Sequence, residues 1–545
     1  MRCFPRAKEE AMSALRQALP SVSNGEVLDG ELAFEYFLTV RSRMIELATE
    51  AAAHYHSETW LRLIRRLSPH ALSYTERGTT EYQGDSTQRV AENLVGTADG
   101  EVLDVSAAVS TTVAMRLARL MAIAYLVDSL ESDIRSVSKG VKYRMWSRRH
   151  PIPTDSRALQ EALREFDLRS TWSSVEKTPH LAPTSTTFAG DPTMLVAYRF
   201  EHGIAMDQTW SGPFRSASAV TMPVQFTLRS FDTDIETHTE LRHPGVLASF
   251  ENPSQTASLV VFGHTLLDHV LFTAEEAGQT LPHLGVMEMD SGVLLAELGS
   301  VLQRPALIDW LAATGQSALT PQAVLDHVNS LYEHGRRSFP GPVIQERVGK
   351  TLIDVWAYSW HVSDGLKLSP HTGGVIANLS AEQFELAAQD AIDSSVLAPP
   401  PELRALRGRV LRLNGRPITD VDAILVSGTK LFLVSCKRFI IRVDYLAGDY
   451  LAARNATSRL NGALDEWRER IARFQEFPVG DNYDFSGYEI QGFVLLPQLV
   501  FTPRSDAKEM LQLDGNKCFF TRVESFAQFS ATLEMAGWPH MRRPQ

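Results

Sequence analysis

Residues 418–438 constrain this chain more than any other stretch. Two apolar runs, Asp420 to Val426 and Lys430 to Lys437, flank a tight turn at Ser427-Gly428-Thr429. Glycine in a short loop between β-branched runs is a hairpin signal. The unbroken segment Leu431-Phe432-Leu433-Val434 suits a strand covered on both faces. The polar residues are the anomaly. Side chains alternate along a strand, so the spacing places Asp420 and Asp422 on one side, and Ser435 and Lys437 likewise. A carboxylate on one buried strand facing an amine on its neighbour is costly without a metal ion or another partner.

Asp422 followed by Ser435-x-Lys437 resembles the metal-binding half of the PD-(D/E)xK nuclease superfamily, with its restriction-endonuclease-like fold. Ser435 stands where that family usually has an acid. The resemblance spans roughly residues 380–535, the size of one domain. It implies catalytic roles for Asp422, Ser435 and Lys437, with Asp422 and Asp420 holding Mg²⁺ or Mn²⁺. The missing charge would come from Asp420 or from an upstream acid such as Glu382, Glu385 or Glu402. Lys437 would position the attacking water, and Arg416, Tyr450, Arg454 and Asn455 would contact the phosphate backbone of a nucleic acid, DNA first. The implied reaction is phosphodiester hydrolysis, with prokaryotic genome defence or repair as an analogy from the family. Two rivals stand beside it: an inactive nuclease-like module that binds nucleic acid, motivated by Ser435, and an interaction or scaffold protein, motivated by the net charge of −12.

At 545 residues the chain is too long for one core. The expected organisation is an α/β, multidomain α+β protein: a helical region over 1–150, a linker over 151–192, an α+β region over 193–378 and the nuclease-like core over 379–545, its mixed sheet flanked by helices. Charge is uneven. Residues 401–545 carry 20 Lys and Arg against 17 Asp and Glu, a balance of +3, whereas residues 1–400 carry 33 against 48, or −15. The C-terminal region is thus the part least repelled by phosphate. The acidic remainder is expected to sense a trigger, or to engage a partner protein or a second copy of the chain. Three cysteines permit neither a disulfide framework nor a cysteine zinc site. No run matches a signal peptide or a membrane span, so a cytoplasmic location without membrane association is expected.

Along the chain, helical spacing is expected over residues 1–70 and 108–138, with 76–105 polar and loop-like. His54-Tyr-His56 reads as two surface or half-buried histidines. Basic residues Lys139, Lys142, Arg144, Arg148 and Arg149 surround Tyr143 and Trp146, in a pattern that suits a connector better than a base-stacking site. A short helix over 157–168 interrupts the linker. Strand-like runs appear at 194–200, 220–228, 246–250 and 258–262, and helical ones at 306–313, 321–331 and 342–360. Val348-Gly349-Lys350-Thr351 lacks the first glycine of a phosphate-binding loop, Ile344 standing there, and is rejected as one. In the C-terminal region the pattern predicts a helix starting at Ser380 as N-cap with Gln383 as its capping partner, a first strand at 410–413, the central hairpin, a long helix over 449–477, strands at 488–501 and 517–521, and a last helix over 525–536.

Overall fold

The computed structural model describes residues 3–67, 81–103, 109–146, 149–154, 157–175, 198–202, 226–230, 252–273, 286–313, 315–337, 339–347, 349–355, 357–358, 360–361, 375–439, 443–515 and 517–537. The chain is mixed α/β with several small sheets. It divides into two compact units, one formed by Met1–Thr154, His180–Ser369 and Leu446–Asp449, the other by Asp155–Pro179, Pro370–Tyr445 and Tyr450–Gln545. No helix among the described residues is long and apolar enough to cross a membrane.

The first unit packs the helices Cys3–Ala18, Gly30–Ala52 and Glu81–Val95 around the long helix Thr111–Ser138. Ser110 starts that helix by accepting from the Val113 amide. Two buried ionic links hold the packing. Arg41 reaches Glu131 at 2.6 Å, and Arg65 lies between Glu92 at 2.8 Å and Asp354 at 2.6 Å. His56 caps the helix Ser57–Arg65 by accepting from the Glu58 amide. Tyr143–Trp146 forms a strand between Val27–Leu28 and Arg149–Pro153, so the basic and aromatic run is part of a small sheet; Arg148 lies outside the described residues.

Three expectations for this unit fail for physical reasons. Residues 81–95, read as loop because they are polar, form a helix whose buried face holds Val90, Ala91, Leu94 and Val95, with Glu92 neutralised by Arg65. Residues 258–262, read as strand, lie inside the helix Pro253–Thr273; a short, wholly apolar run carries no period to separate the two. Residues 342–360, read as helix, contain the antiparallel strands Ile344–Arg347 and Lys350–Asp354, with Gly349 at a φ of 74° in the turn. The runs at 306–313 and 321–331 do form helices, Pro305–Ala313 and Pro321–Asn329. The expected strands at 194–200 and 220–228 are described only as Tyr198–His202 and Phe226–Ser230, and 246–250 lies outside the described residues.

The second unit begins with a helix that the sequence left in the linker. This helix, α1 (Arg157–Val175), is longer than expected and is anchored by Arg169, which donates to the Gln528 side chain, Thr521 Oγ1 and the Val523 carbonyl. After it come α2 (Val375–Asp393), β1 (Val410–Leu413), β2 (Arg416–Asp420), β3 (Ala423–Ser427), β4 (Lys430–Cys436), α3 (Tyr450–Glu476), β5 (Glu489–Leu496), β6 (Met510–Gln512), β7 (Phe519–Thr521), β8 (Val523–Ser525) and α4 (Phe526–Ala536). The main sheet runs β3-β4-β5-β8: the hairpin β3–β4 is antiparallel, then β4–β5 and β5–β8 are parallel. Helix α3 supplies the crossover between β4 and β5, the connection that parallel neighbours require.

Both faces of this sheet are covered. Ile424, Leu431, Leu433, Ile490, Val494 and Leu496 meet the α3 stripe of Leu460, Leu464, Trp467, Ile471 and Phe474. On the other face Phe432, Phe493 and Phe520 meet Phe529 of α4, with Phe384 of α2 against Phe526. Several details differ from expectation. β1 does not join the main sheet but pairs with β2 in a separate ribbon. The last sheet strand is β8, because residues 519–521 pair with β6 instead. Ser380 lies inside α2, which starts five residues earlier, and so is not its N-cap. Ser525 caps α4 by accepting from the Gln528 amide.

Candidate active site

The register of the central hairpin sets the geometry. Ala423 pairs with Val434, so the next step brings Asp422 opposite Ser435. Directly opposed residues of an antiparallel pair share a face, and alternation adds Lys437 to it. Ser435 and Lys437 thereby fall on the α3 side of β4, with Leu431 and Leu433, while Asp422 stands at the bend before β3 with its carboxylate turned to the Cys436 amide. One expectation changes. Asp420 and Asp422 do not share a strand: Asp420 ends β2, Val421 and Asp422 form the link, and β3 starts at Ala423.

Asp422 is buried and its Oδ2 accepts from the Cys436 amide at 2.6 Å. It forms no direct ion pair with Lys437, whose charge nevertheless acts on it. Burial pushes the Asp422 carboxyl up from the ordinary 3.8 to about 6, against the pull of Lys437, the Cys436 amide and Arg470, and with Asp420 adding to the rise. Glu385 on α2 is pushed up further, from 4.5 to about 7. Burial is again the largest cause, followed by repulsion from Asp422 and Asp420, with Lys437 opposing and Glu382 adding. Burial also lifts the Cys436 thiol well above its usual range, reinforced by Asp422 and Glu385. The charges of Asp420, Asp422 and Lys437 thus all act on Glu385, and those of Asp420 and Lys437 on Asp422.

Why Glu385 arrives there follows from the exposed edge of the sheet. β3 is an edge strand, and its outward backbone groups need partners. Gln389 Nε2 donates to the Asp422 carbonyl at 2.5 Å, Arg407 donates to the Ile424 carbonyl at 3.1 Å, and the Val426 amide donates to the Leu397 carbonyl at 3.0 Å. Arg407 is itself held by both oxygens of Asp393, at 2.8 and 2.9 Å. Glu385, Gln389 and Asp393 are four apart, on one stripe of α2. Four helical residues rise about 6 Å and two strand residues about 6.6 Å, so the stripe keeps step with the strand. One step before Gln389 meets Asp422, Glu385 comes level with the Asp420–Asp422 link.

Of the other residues tied to the resemblance, Ser435 is buried in β4 beside Val494 of β5. Arg416 is exposed in β2, and Tyr450, Arg454 and Asn455 lie in the first turns of α3, the latter two exposed. None of these four is among the principal charges or hydrogen-bond partners acting on Asp422 or Glu385. Glu402, in the short helix Pro401–Arg404, is likewise absent from that group, whereas Glu382 belongs to it. Sequence reasoning missed Gln389 and Arg470. An amide and a cation on two helices, 33 and 48 residues from Asp422, carry no local signal.

The side chains near Lys437 offer the carboxylate oxygens that a hard divalent cation prefers. Burial first, then repulsion from neighbouring carboxylates, makes Glu385 and Asp422 hold their protons more tightly than usual. Mg²⁺ takes one or two carboxylates and keeps several waters. Among the described residues no group of three or more His, Cys, Asp or Glu side chains is placed to hold a metal ion. No protein-family model, curated protein or solved structure matches the chain.

Proposed function

We propose that the second unit is a divalent-cation-dependent phosphodiesterase acting on DNA, built on the PD-(D/E)xK plan, with the acid missing at Ser435 supplied by Glu385. The observation that carries this reading is the electrostatic coupling of Glu385 and Asp422 with Asp420 and Lys437 at one end of the central hairpin, where burial and repulsion raise the two carboxyls to about 7 and about 6. Asp422 and Glu385 would hold the cation, with Asp420 at the rim. A bound Mg²⁺ supplies Lewis-acid polarisation of a phosphoryl oxygen and a more acidic water. Lys437 orients the attacking water and offsets charge that builds on the phosphate. The Cys436 amide fixes the Asp422 carboxylate, and Gln389 fixes the backbone that bears it. Ser435 keeps its strand position small and neutral, so the site carries no further buried charge. The acidic first unit would sense a trigger or bind a partner, in a defence or repair setting.

The test is incubation of the full chain with supercoiled plasmid, linear duplex and RNA in Mg²⁺ or Mn²⁺, with EDTA as control. Metal-dependent cutting that is lost in Asp422→Ala, Glu385→Ala and Lys437→Ala supports the reading. Cutting that survives all three substitutions removes it. Metal-independent binding without cutting favours instead the inactive module motivated by Ser435.

A further inference from the structure

The ribbon β1–β2 stands outside the main sheet, with Leu411 packed into the core on the α3 side, and only its end residue Asp420 enters the chemistry above. Its inner positions Leu411 and Thr419 are buried, whereas Arg409, Val410, Arg412, Arg416, Pro417 and Asp420 are exposed. The ribbon is held firmly. Both oxygens of Asp481 accept from its turn, from the Asn414 amide at 3.1 Å and the Gly415 amide at 2.6 Å, and Asn482 bonds the Arg412 amide and the Val410 carbonyl. Asn414 has a φ of 52° and Gly415 of 75°, which gives the tight turn its shape.

The register makes this ribbon a track leading out of the site. Val410 pairs with Asp420, and Arg412 pairs with Pro417. At about 3.4 Å per residue, Arg412 stands about 7 Å beyond Asp420 on the same solvent face, and Arg416, opposite Leu413 past a bulge at Ile418, stands about 10 Å beyond it at the tip. Those separations match about two and three base-pair steps of duplex DNA, whose strands rise about 3.4 Å per nucleotide. Arg409 flanks the base of the ribbon, and neither Arg409 nor Arg416 forms an ion pair with a described residue. No aromatic residue occurs between Arg409 and Asp420, so the ribbon offers no platform for unstacked single-strand bases. A two-stranded ribbon enters the major groove of B-form DNA, while the A-form groove of double-stranded RNA is too narrow for it.

We infer that the β1–β2 ribbon is a docking element for double-stranded DNA, whose Arg409, Arg412 and Arg416 neutralise backbone phosphates two to three steps from the phosphate held over Asp422. This inference rests on the nuclease reading for its register relative to the site, but binding can be measured apart from cutting. The experiment uses the full chain in EDTA with a fluorescent duplex of about 24 base pairs, and the matching single strand, titrated over a range of salt. The wild type binds the duplex more tightly than the single strand. The variant Arg409→Gln, Arg412→Gln, Arg416→Gln loses at least about tenfold in affinity, and its salt slope falls by about two to three, close to 0.9 per phosphate contact. The matching triple lysine variant keeps the slope, since a phosphate contact needs charge and not guanidinium geometry. Unchanged melting by circular dichroism shows that each variant folds. An unchanged slope in the glutamine variant, equal loss in the lysine variant, or single-strand binding as tight as duplex binding overturns the inference. Ribbon-dependent duplex binding by a chain that cuts nothing in Mg²⁺ or Mn²⁺ sustains the ribbon and retires the hydrolase. Asp422-dependent cutting with unaltered binding by the glutamine variant retires the ribbon alone.

Discussion

Replacing Asp422 by Asn separates a functional carboxylate from a structural ion pair, because the two predict opposite signs. Asparagine preserves shape and keeps an oxygen for the Cys436 amide, so the substitution removes little but charge. The carboxyl rises from 3.8 to about 6 on folding. The folded chain therefore holds a proton that the unfolded chain has released, and stability present below about pH 4 is lost as the pH climbs through about 6. At about 1.36 kcal/mol per pKa unit, ionising Asp422 above that range costs the fold up to about 3 kcal/mol. Asp422→Asn should thus be more stable than the wild type at about pH 8 by roughly 1–3 kcal/mol, and the two should converge near about pH 4. Glu385 contributes in the same direction over a window from 4.5 to about 7, so some pH dependence remains in the variant.

The assay is guanidinium unfolding at several pH values, with hydrogen exchange of the β4 amides assigning the transition to the second unit, since a two-unit chain need not unfold in one step. Millimolar Mg²⁺ should stabilise the wild type and leave the variant unmoved, because a ligand that binds only the folded state adds to its stability. A loss of about 3–5 kcal/mol in Asp422→Asn at neutral pH, the signature of a broken buried ion pair, would refute the reasoning.

Cutting should rise with pH through about 7, as Glu385 loses its proton and becomes a ligand, and Glu385→Gln should fall by at least about a hundredfold in rate while shifting that profile; a flat profile through this range would count against Glu385. Adding Ser435→Glu to Glu385→Ala should recover at least about tenfold over Glu385→Ala alone, since an acid opposite Asp422 would return the missing charge to the strand; no recovery in a folded double variant would deny that the two positions are equivalent. Gly492→Ala should cost about 1–3 kcal/mol by denaturant unfolding, because a Cβ there would meet Ile471 and come within 2.9 Å of Trp467 Nε1. In the first unit, Arg65→Met should cost about 3–5 kcal/mol by the same measurement, as Glu92 and Asp354 would be left buried without their cation.

What the sequence revealed was local, and what it concealed was tertiary. The hairpin at Ser427-Gly428-Thr429 and the α3 stripe from Leu460 to Phe474 were legible because periods of two and of three to four survive in one dimension. Asp422 and Lys437 stood out because charged residues interrupt such runs at a cost. Glu385 was legible only as one of several upstream acids, since which of them faces Asp422 depends on the phase of α2 against an edge strand. The helix at 81–95 was hidden for a related reason. Its charged residues look solvent-facing until Arg65, from another helix, is placed beside Glu92. The hairpin at 344–354 was lost because its apolar runs are too short to show a period, and the turn glycine was the signal to weigh.

In the proposed nuclease the polar stripe of α2 would do two things at once, and their combination would let an acid stand on the helix instead of the strand without loss of precision. A side chain on an isolated helix could slide by a turn against the sheet. Here sliding would strip Gln389 from the Asp422 carbonyl and Asp393 from Arg407, leaving backbone groups of an edge strand unpaired. The hydrogen bonds that shield the edge therefore also fix the height of Glu385. A glutamate in place of Ser435 would sit in the strand itself, but it would add a buried charge between β3 and β5, next to Val494 and opposite Asp422. Placing the acid on the helix leaves it half-buried, where water can still reach it when no cation is bound, and the cost of holding like charges together falls accordingly. In the proposed nuclease the serine and the helix glutamate would be two halves of one arrangement.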